Sequence, residues 1–167
     1  MWPSAKEMNA GSSQMSKYLI FRLLGESYGI NVLAVREIFH NIVVRILNPA
    51  PGRMCGTISL RGKIIPVMDL CCRRHLAGEF EKDGNYVTVV QISPAVGQTV
   101  IIGLIMDDVE EMVNISTAEI EKPVDTSGRF PAGSIIGTAR IKSGAKALLN
   151  LNNLIPLTPS MDFCRAA

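Results

Sequence analysis

The chain has 167 residues, 47% of them apolar and 19% charged, and 17 basic residues against 15 acidic ones leave a net charge of +2. That composition excludes a disordered polyelectrolyte, and the near balance of charge removes the electrostatic case for a phosphate backbone as partner. Aromatics are only 5%, so the core has to be built from Ile, Val, Leu and Met.

Residues 1–16 read as a flexible N-terminal tail. They contain Trp2-Pro3-Ser4 and Gly11-Ser12-Ser13 and lack the apolar run of a secretory signal. From Lys17 the pattern changes. Leu19, Phe21 and Leu23 alternate against Tyr18, Ile20 and Arg22, the two-residue period of a strand. Val32 to Phe39 could hold a helical turn, as could Leu70 to Leu76 and Thr117 to Glu121. Further strand-like runs lie at Tyr28 to Ile30, Val43 to Leu47, Cys55 to Leu60, Lys63 to Leu70, Tyr86 to Ile92, Thr99 to Val113, Ile135 to Lys142 and Ala145 to Leu151. Turn signals such as Gly25-Glu26, Arg61-Gly62, Asp83-Gly84-Asn85 and Ser143-Gly144 separate them. Many short strands at this spacing predict an all-β molecule of barrels or a sandwich. Pro66 removes a ladder donor, so its strand is expected at an edge or at a bulge. The longest apolar stretch, Val100 to Met106, is too short to span a bilayer. A cytoplasmic setting fits the low cysteine density.

The chain repeats itself. Gly56-Thr57-Ile58-Ser59-Leu60-Arg61 resembles Gly137-Thr138-Ala139-Arg140-Ile141-Lys142, and the same offset carries Val67 to Leu70 onto Leu148 to Leu151. Gly29-Ile30 and Val35 to Ile38 match Gly103-Leu104 and Val109 to Met112. One strand-rich unit has been duplicated. Two units of this size are marginal alone, should pack together, and leave a groove between them.

Catalytic constellations are not apparent. The only histidines are His40 and His75, and no nucleophile elbow, P-loop or dinucleotide fingerprint occurs. Asp107, Asp108, Glu110 and Glu111 form an acidic cluster that alternation splits between two faces, which reads as a solvated edge or turn. Cys71, Cys72 and His75 would need Cys55 or His40 as a fourth ligand for structural zinc, so no metal and no cofactor are expected. A nucleic-acid-binding barrel would need stacking aromatics and a basic stripe, and Arg73-Arg74-His75 is the largest basic knot. Arg61-Gly62 between two strand runs is a tight hairpin turn that presents Arg61 outward, a good interface anchor.

Four blocks in order give the chain a family resemblance. They are Tyr18 to Leu23 with Tyr28 to Ile30 and Val35 to Ile38; Arg45-Ile46 with Pro49 to Gly52 and Gly56; Ser59 to Leu70, the most specific; and Gly103 to Val109 with Ile136-Gly137 and Leu149 to Leu151. Over about Lys17 to Leu157 the sequence resembles the CheW family of chemotaxis coupling proteins. The resemblance implies an all-β fold of two packed five-stranded SH3-like β-barrel subdomains with short helical turns. Residues 17–157 would be one domain, with subdomains at about 17–80 and 81–157, some strand exchange between them, and a C-terminal tail at 158–167.

It also implies a non-catalytic adaptor that couples methyl-accepting chemoreceptors to a CheA-type histidine kinase. The expected partners are the cytoplasmic receptor tip and the regulatory domain of the kinase, at the inner face of the membrane and without membrane insertion. A pilus-motility or other receptor-kinase pathway could use the same domain. The positions implied for the receptor groove are Val35, Gly56, Arg61, Gly62, Val87, Gly103, Val109 and Met112. Those implied near the kinase are Glu37, Ile38 and Arg61. Asn150 and Asn152 stand where acidic residues are common in the family, and Cys71-Cys72 and Met112 also depart from its pattern.

Overall fold

The computed structural model describes residues 14–46, 54–70, 78–80, 86–93, 97–122, 130 and 133–154. Among the described residues thirteen strands are distributed over two sheets. They are β1 (Met15–Leu23), β2 (Glu26–Asn31), β3 (Val35–His40), β4 (Val44–Ile46), β5 (Met54–Leu60), β6 (Lys63–Met68), β7 (Gly78–Phe80), β8 (Tyr86–Ile92), β9 (Val100–Met106), β10 (Asp108–Ser116), β11 (Ile120–Glu121), β12 (Ile135–Ile141) and β13 (Gly144–Leu149). Short 3-10 turns cover Val32–Ala34 and Thr117–Glu119, and a four-residue helix α1 (Leu151–Leu154) follows β13.

The first sheet runs β10-β1-β2-β13-β12-β11 and the second β3-β8-β9-β6-β5-β4-β7. The all-β reading therefore holds. With the two- and three-residue strands β4, β7 and β11 set aside, each sheet has the five strands of the expected barrel. Each sheet also takes strands from both sides of residue 80. The β1-β2 hairpin joins β10 to β13, while β8 and β9 join β3 to β7. Neither sheet can form from one half of the chain alone.

The duplication is visible in the pairing registers. In β5·β6, Met54 faces Met68 and Gly56 faces Val67, with an irregularity between; in β12·β13, Ile135 faces Leu149 and Gly137 faces Leu148, with the same irregularity. Likewise Val35 faces Val90 and Glu37 faces Val89 in β3·β8, while Val109 faces Phe21 and Glu111 faces Ile20 in β10·β1. Bulges at matching places are a shared feature of one design used twice.

Three apolar clusters account for the burial. Val44, Cys55, Ile58, Ile65, Val67, Val87, Val89 and Ile105 fill the second sheet. Tyr18, Ile20, Ile115, Ala139 and Leu148 fill the first. The largest cluster lies between the sheets and joins Leu19, Phe21, Leu23 and Ile30 to Val90, Ile102, Leu104 and Met106. Strand alternation explains the division, because neighbouring residues point to opposite faces. Leu19 and Phe21 meet the other sheet, and Tyr18 and Ile20 turn into their own. A strand buried on both faces reads as continuous apolar sequence, and the burial of Tyr18 to Phe21 is unbroken.

The helical turns expected within Val32 to Phe39 and Thr117 to Glu121 are present as 3-10 turns over Val32–Ala34 and Thr117–Glu119, and β3 follows the first directly. Other sequence expectations are corrected. Thr99 to Val113 is two strands, because the chain bends at Asp107. Its carboxylate there accepts a hydrogen bond from the Leu24 N–H at 2.8 Å. The strand holding Pro66 is interior, between β5 and β9, and not an edge, but the β5·β6 register shifts opposite Val67 and Met68, directly beside the proline, in keeping with the bulge alternative. Proline is tolerated there because the parallel ladder to β9 covers only Val67 and Met68. β1 begins at Met15, inside the segment read as a tail, through pairing of Met15 with Ser116. Cys71, Cys72, His75 and most of Leu70 to Leu76 lie outside the described residues.

The β5–β6 turn places Arg61 at φ 50° and Gly62 at φ 77°, the two positive values that define a type I′ hairpin. No atom crowds the Gly62 Cα, so its requirement is conformational alone. Gly62→Val is expected to lower stability by about 1–2 kcal/mol, the cost of a side chain in the left-handed region. Chemical denaturation checks this, and an unchanged midpoint would contradict the turn assignment.

Candidate functional site

The β5–β6 turn is fastened to strand β3. Arg61 donates from Nη1 to Glu37 Oε1 at 2.5 Å and from Nη2 to Glu37 Oε2 at 3.2 Å, a two-pronged pair. Arg61 is 70% exposed and Glu37 34%. The Arg61 hydrogen bonds, aided by its charge, hold the Glu37 carboxyl below the ordinary carboxylate range. An exposed pair is screened by water and adds little to stability, but its planar fork fixes direction. The Arg61 guanidinium is thus pre-ordered against its own strand.

The other half of the duplication repeats the device with different chemistry. Glu111, at the position matching Glu37, accepts a hydrogen bond from Ser143 Oγ at 3.0 Å. Ser143 lies in the β12–β13 turn, which matches the β5–β6 turn. In both halves a glutamate on an edge strand holds the tip of a hairpin.

The groove candidates, taken with the kinase-side candidate Ile38, fall into two groups. Val35 and Val109 occupy matching positions on β3 and β10, as do Ile38 and Met112. Val35, Ile38 and Val109 are half-buried against the cluster between the sheets, and Met112 is 51% exposed. Two strands that end their respective sheets therefore offer aliphatic side chains at the border of the central core. Val87, by contrast, is 3% exposed inside the second sheet. Gly103 is buried beside it, since a Cβ there would come within 2.9 Å of Val87 Cγ1 and 3.2 Å of Val67 Cγ2. Gly56 is buried beneath β4, where a Cβ would lie 2.2 Å from the Arg45 carbonyl oxygen. Gly56, Val87 and Gly103 act from within the core, by holding strand spacing under the surface.

The acidic cluster lies on the edge strand β10 and at its bend at Asp107, as expected of an edge or turn, but one member is drawn in from solvent. Glu110, 15% exposed, accepts hydrogen bonds from Ser27 Oγ at 2.8 Å and Arg22 Nε at 3.2 Å, and lies 3.6 Å from Lys146 Nζ. Burial pushes its carboxyl upward, but the Ser27 hydroxyl, Lys146 and Arg22 outweigh it and hold the group below the ordinary range. Lys146 itself is only 6% exposed. It was not singled out from the sequence, yet it shares strand parity with the buried Leu148. Among the described residues no group of three or more His, Cys, Asp or Glu side chains could hold a metal ion. The described arrangement is one of apolar rims and pinned turns, suited to grip another protein.

Comparison with known proteins agrees with this geometry. The family model described as the CheW-like domain matches residues 17–157. The chain is 24% identical over 156 residues to a chemotaxis protein CheW of Rhizobium meliloti, covering 93% of this chain and 96% of that protein. It is 27% identical over 147 residues to a chemotaxis protein CheW of Klebsiella aerogenes, covering 87% and 85%. The crystal structure of the scaffolding protein TtCheW from Thermoanaerobacter tengcongensis superposes with a TM-score of 0.68 at 27% identity, over 89% of this chain and 92% of that one.

Proposed function

We propose, from the premise that this chain belongs to the CheW-like family of adaptor and scaffold proteins, that it joins the cytoplasmic tip of a methyl-accepting chemoreceptor to the regulatory domain of a CheA-type histidine kinase. It does so without catalysis, by holding two partners in one geometry, in the cytoplasm beneath a receptor array. Among the described residues no helix is long and apolar enough to cross a membrane. The observation that carries the reading is the matched pair of aliphatic rims, Val35 with Ile38 and Val109 with Met112, on strands that end the two sheets. Such rims suit helices laid against an apolar surface, as in helix-in-groove recognition.

A receptor state reaches the kinase only if the adaptor contacts differ between states. A stiff link serves this better than a soft one, and the Arg61–Glu37 pair stiffens the hairpin next to β3. Ile38, near the expected kinase contact, is the neighbour of Glu37 on that strand. The pathway could be flagellar chemotaxis, pilus motility or another receptor–kinase array.

Ternary assembly from purified receptor tip, kinase regulatory domain and this chain tests the proposal. Arg61→Ala is expected to leave the melting temperature unchanged and to weaken assembly roughly tenfold, as for an interface anchor. Wild-type protein that binds neither partner would overturn the proposal. A variant that assembles normally would reduce Arg61 to a turn residue. Retention on a polyanion resin at moderate salt would favour a nucleic-acid partner instead.

A further inference from the structure

The rim on β10 exists because of a bulge. Along a regular strand, residues three apart point to opposite faces. Val109 and Met112 are three apart, yet both fall on the side of the central core. Val109 faces Phe21 and Met112 faces Leu19, and Phe21 and Leu19 belong to the cluster between the sheets. The register changes between them: Ile20 faces Glu111 and Phe21 faces Val109, so Glu110 is the extra residue. Strand β3 is built the same way, with Val35 facing Val90, Glu37 facing Val89 and Arg36 as the extra residue. A bulge breaks the ladder locally and re-aims the side chains beside it. Each rim therefore depends on whatever holds its extra residue.

The two extra residues are held unequally. Glu110 is tied to the next three strands of its sheet, through Arg22 on β1, Ser27 on β2 and Lys146 on β13. The side chains of Glu110 and Lys146 are 15% and 7% exposed. A buried ion pair is weak evidence for stability, and its best-attested use is to fix register. The β12–β13 hairpin grips two successive residues of β10, Lys146 reaching Glu110 and Ser143 reaching Glu111. On β3 the second grip is present, Arg61 on Glu37, but Arg36 is exposed and donates to the Gln91 amide oxygen on the paired strand.

We propose that Glu110 and Lys146 are positioning residues, which lock the β10 bulge and so set the aim of Val109 and Met112 toward a partner. This rests on the reading of those two residues as a partner rim. Without the lock, β10 is free to slip into regular register, and a one-residue slip turns one of the two side chains to the other face.

The test compares the full chain with a double variant, Glu110→Leu with Lys146→Met, which keeps the volume and removes the lock. Its melting temperature is expected to match wild type. The backbone amides of 109–112 are expected to exchange with solvent about tenfold faster, as in a local opening that leaves the global fold intact. Affinity for a purified receptor tip is expected to fall about fivefold or more, the loss seen when a contact residue is displaced. Should the double variant not fold, Lys146→Met alone leaves Glu110 with Ser27 and Arg22 and is read by the same measurements. The assignment is overturned by unchanged exchange at 109–112, by faster exchange with wild-type affinity, or by an affinity that falls only where the melting temperature falls with it. A wild-type chain that binds no receptor tip defeats the coupling role, and the exchange result then still decides whether the pair locks the bulge.

Discussion

Gly56→Ala is expected to destabilise the protein by about 3 kcal/mol, near the upper range for overpacking a core. For a chain of this length that lowers the melting temperature by roughly 6–12 °C. The added Cβ would lie 2.2 Å from the Arg45 carbonyl oxygen and 3.0 Å from its carbon, and backbone cannot swing aside as a side-chain tip can. Strand β4 pairs β5 at Arg45–Thr57 and Ile46–Gly56, so yielding at Gly56 means breaking that short ladder. The duplicate position behaves alike: at Gly137 a Cβ would meet the Glu121 carbonyl oxygen at 2.4 Å and Ile120 Cγ2 at 2.5 Å. Gly137→Ala should therefore show a loss of the same order. Chemical denaturation measures both, and a loss below about 1 kcal/mol at Gly56 would mean that β4 is not held where the structure places it.

Glu110→Ala is expected to cost about 3 kcal/mol or more, because it leaves the Lys146 ammonium buried without its carboxylate. Lys146 Nζ has one other recorded contact, the Ser143 carbonyl oxygen at 3.4 Å. Replacing both partners, Glu110→Leu with Lys146→Met, should recover much of the loss, since an apolar pair of similar volume is often neutral. A double variant no better than the single one would place the defect in the Ser27 and Arg22 bonds instead. The same site predicts acid sensitivity. The Glu110 carboxyl is held below its ordinary value of 4.5, so the unfolded chain binds more protons there than the folded one. Stability from this group is fully present above that ordinary value and is lost as pH falls through the folded value. In an acid titration of stability, Glu110→Gln should flatten this part of the fall, and a slope equal to wild type would contradict the assignment.

The candidate site was legible in unequal parts. Arg61-Gly62 announced a hairpin tip, because glycine after a long polar residue between two strand runs has few other uses. That its guanidinium would close on Glu37 was not legible. The two residues are remote in sequence, and only the curl of the second sheet brings them together. Val35, Ile38, Val109 and Met112 could be matched by the internal repeat. The repeat could not say that Val87 and Gly103 would be buried while Met112 is exposed. Periodicity reports two faces of a strand, and which face meets water depends on what the opposite sheet covers.

By itself the sequence determined the class: short strands, tight turns, a doubled unit and a core of aliphatics. These follow from local dihedral preference and side-chain period, which act within a few residues. Only the tertiary structure decided which strands the halves exchange, the burial of β1 on both faces, and the meeting of Glu110 with Lys146. Those contacts join residues far apart in the chain, and their energy comes from removing surface from water, a quantity that no short window of sequence contains.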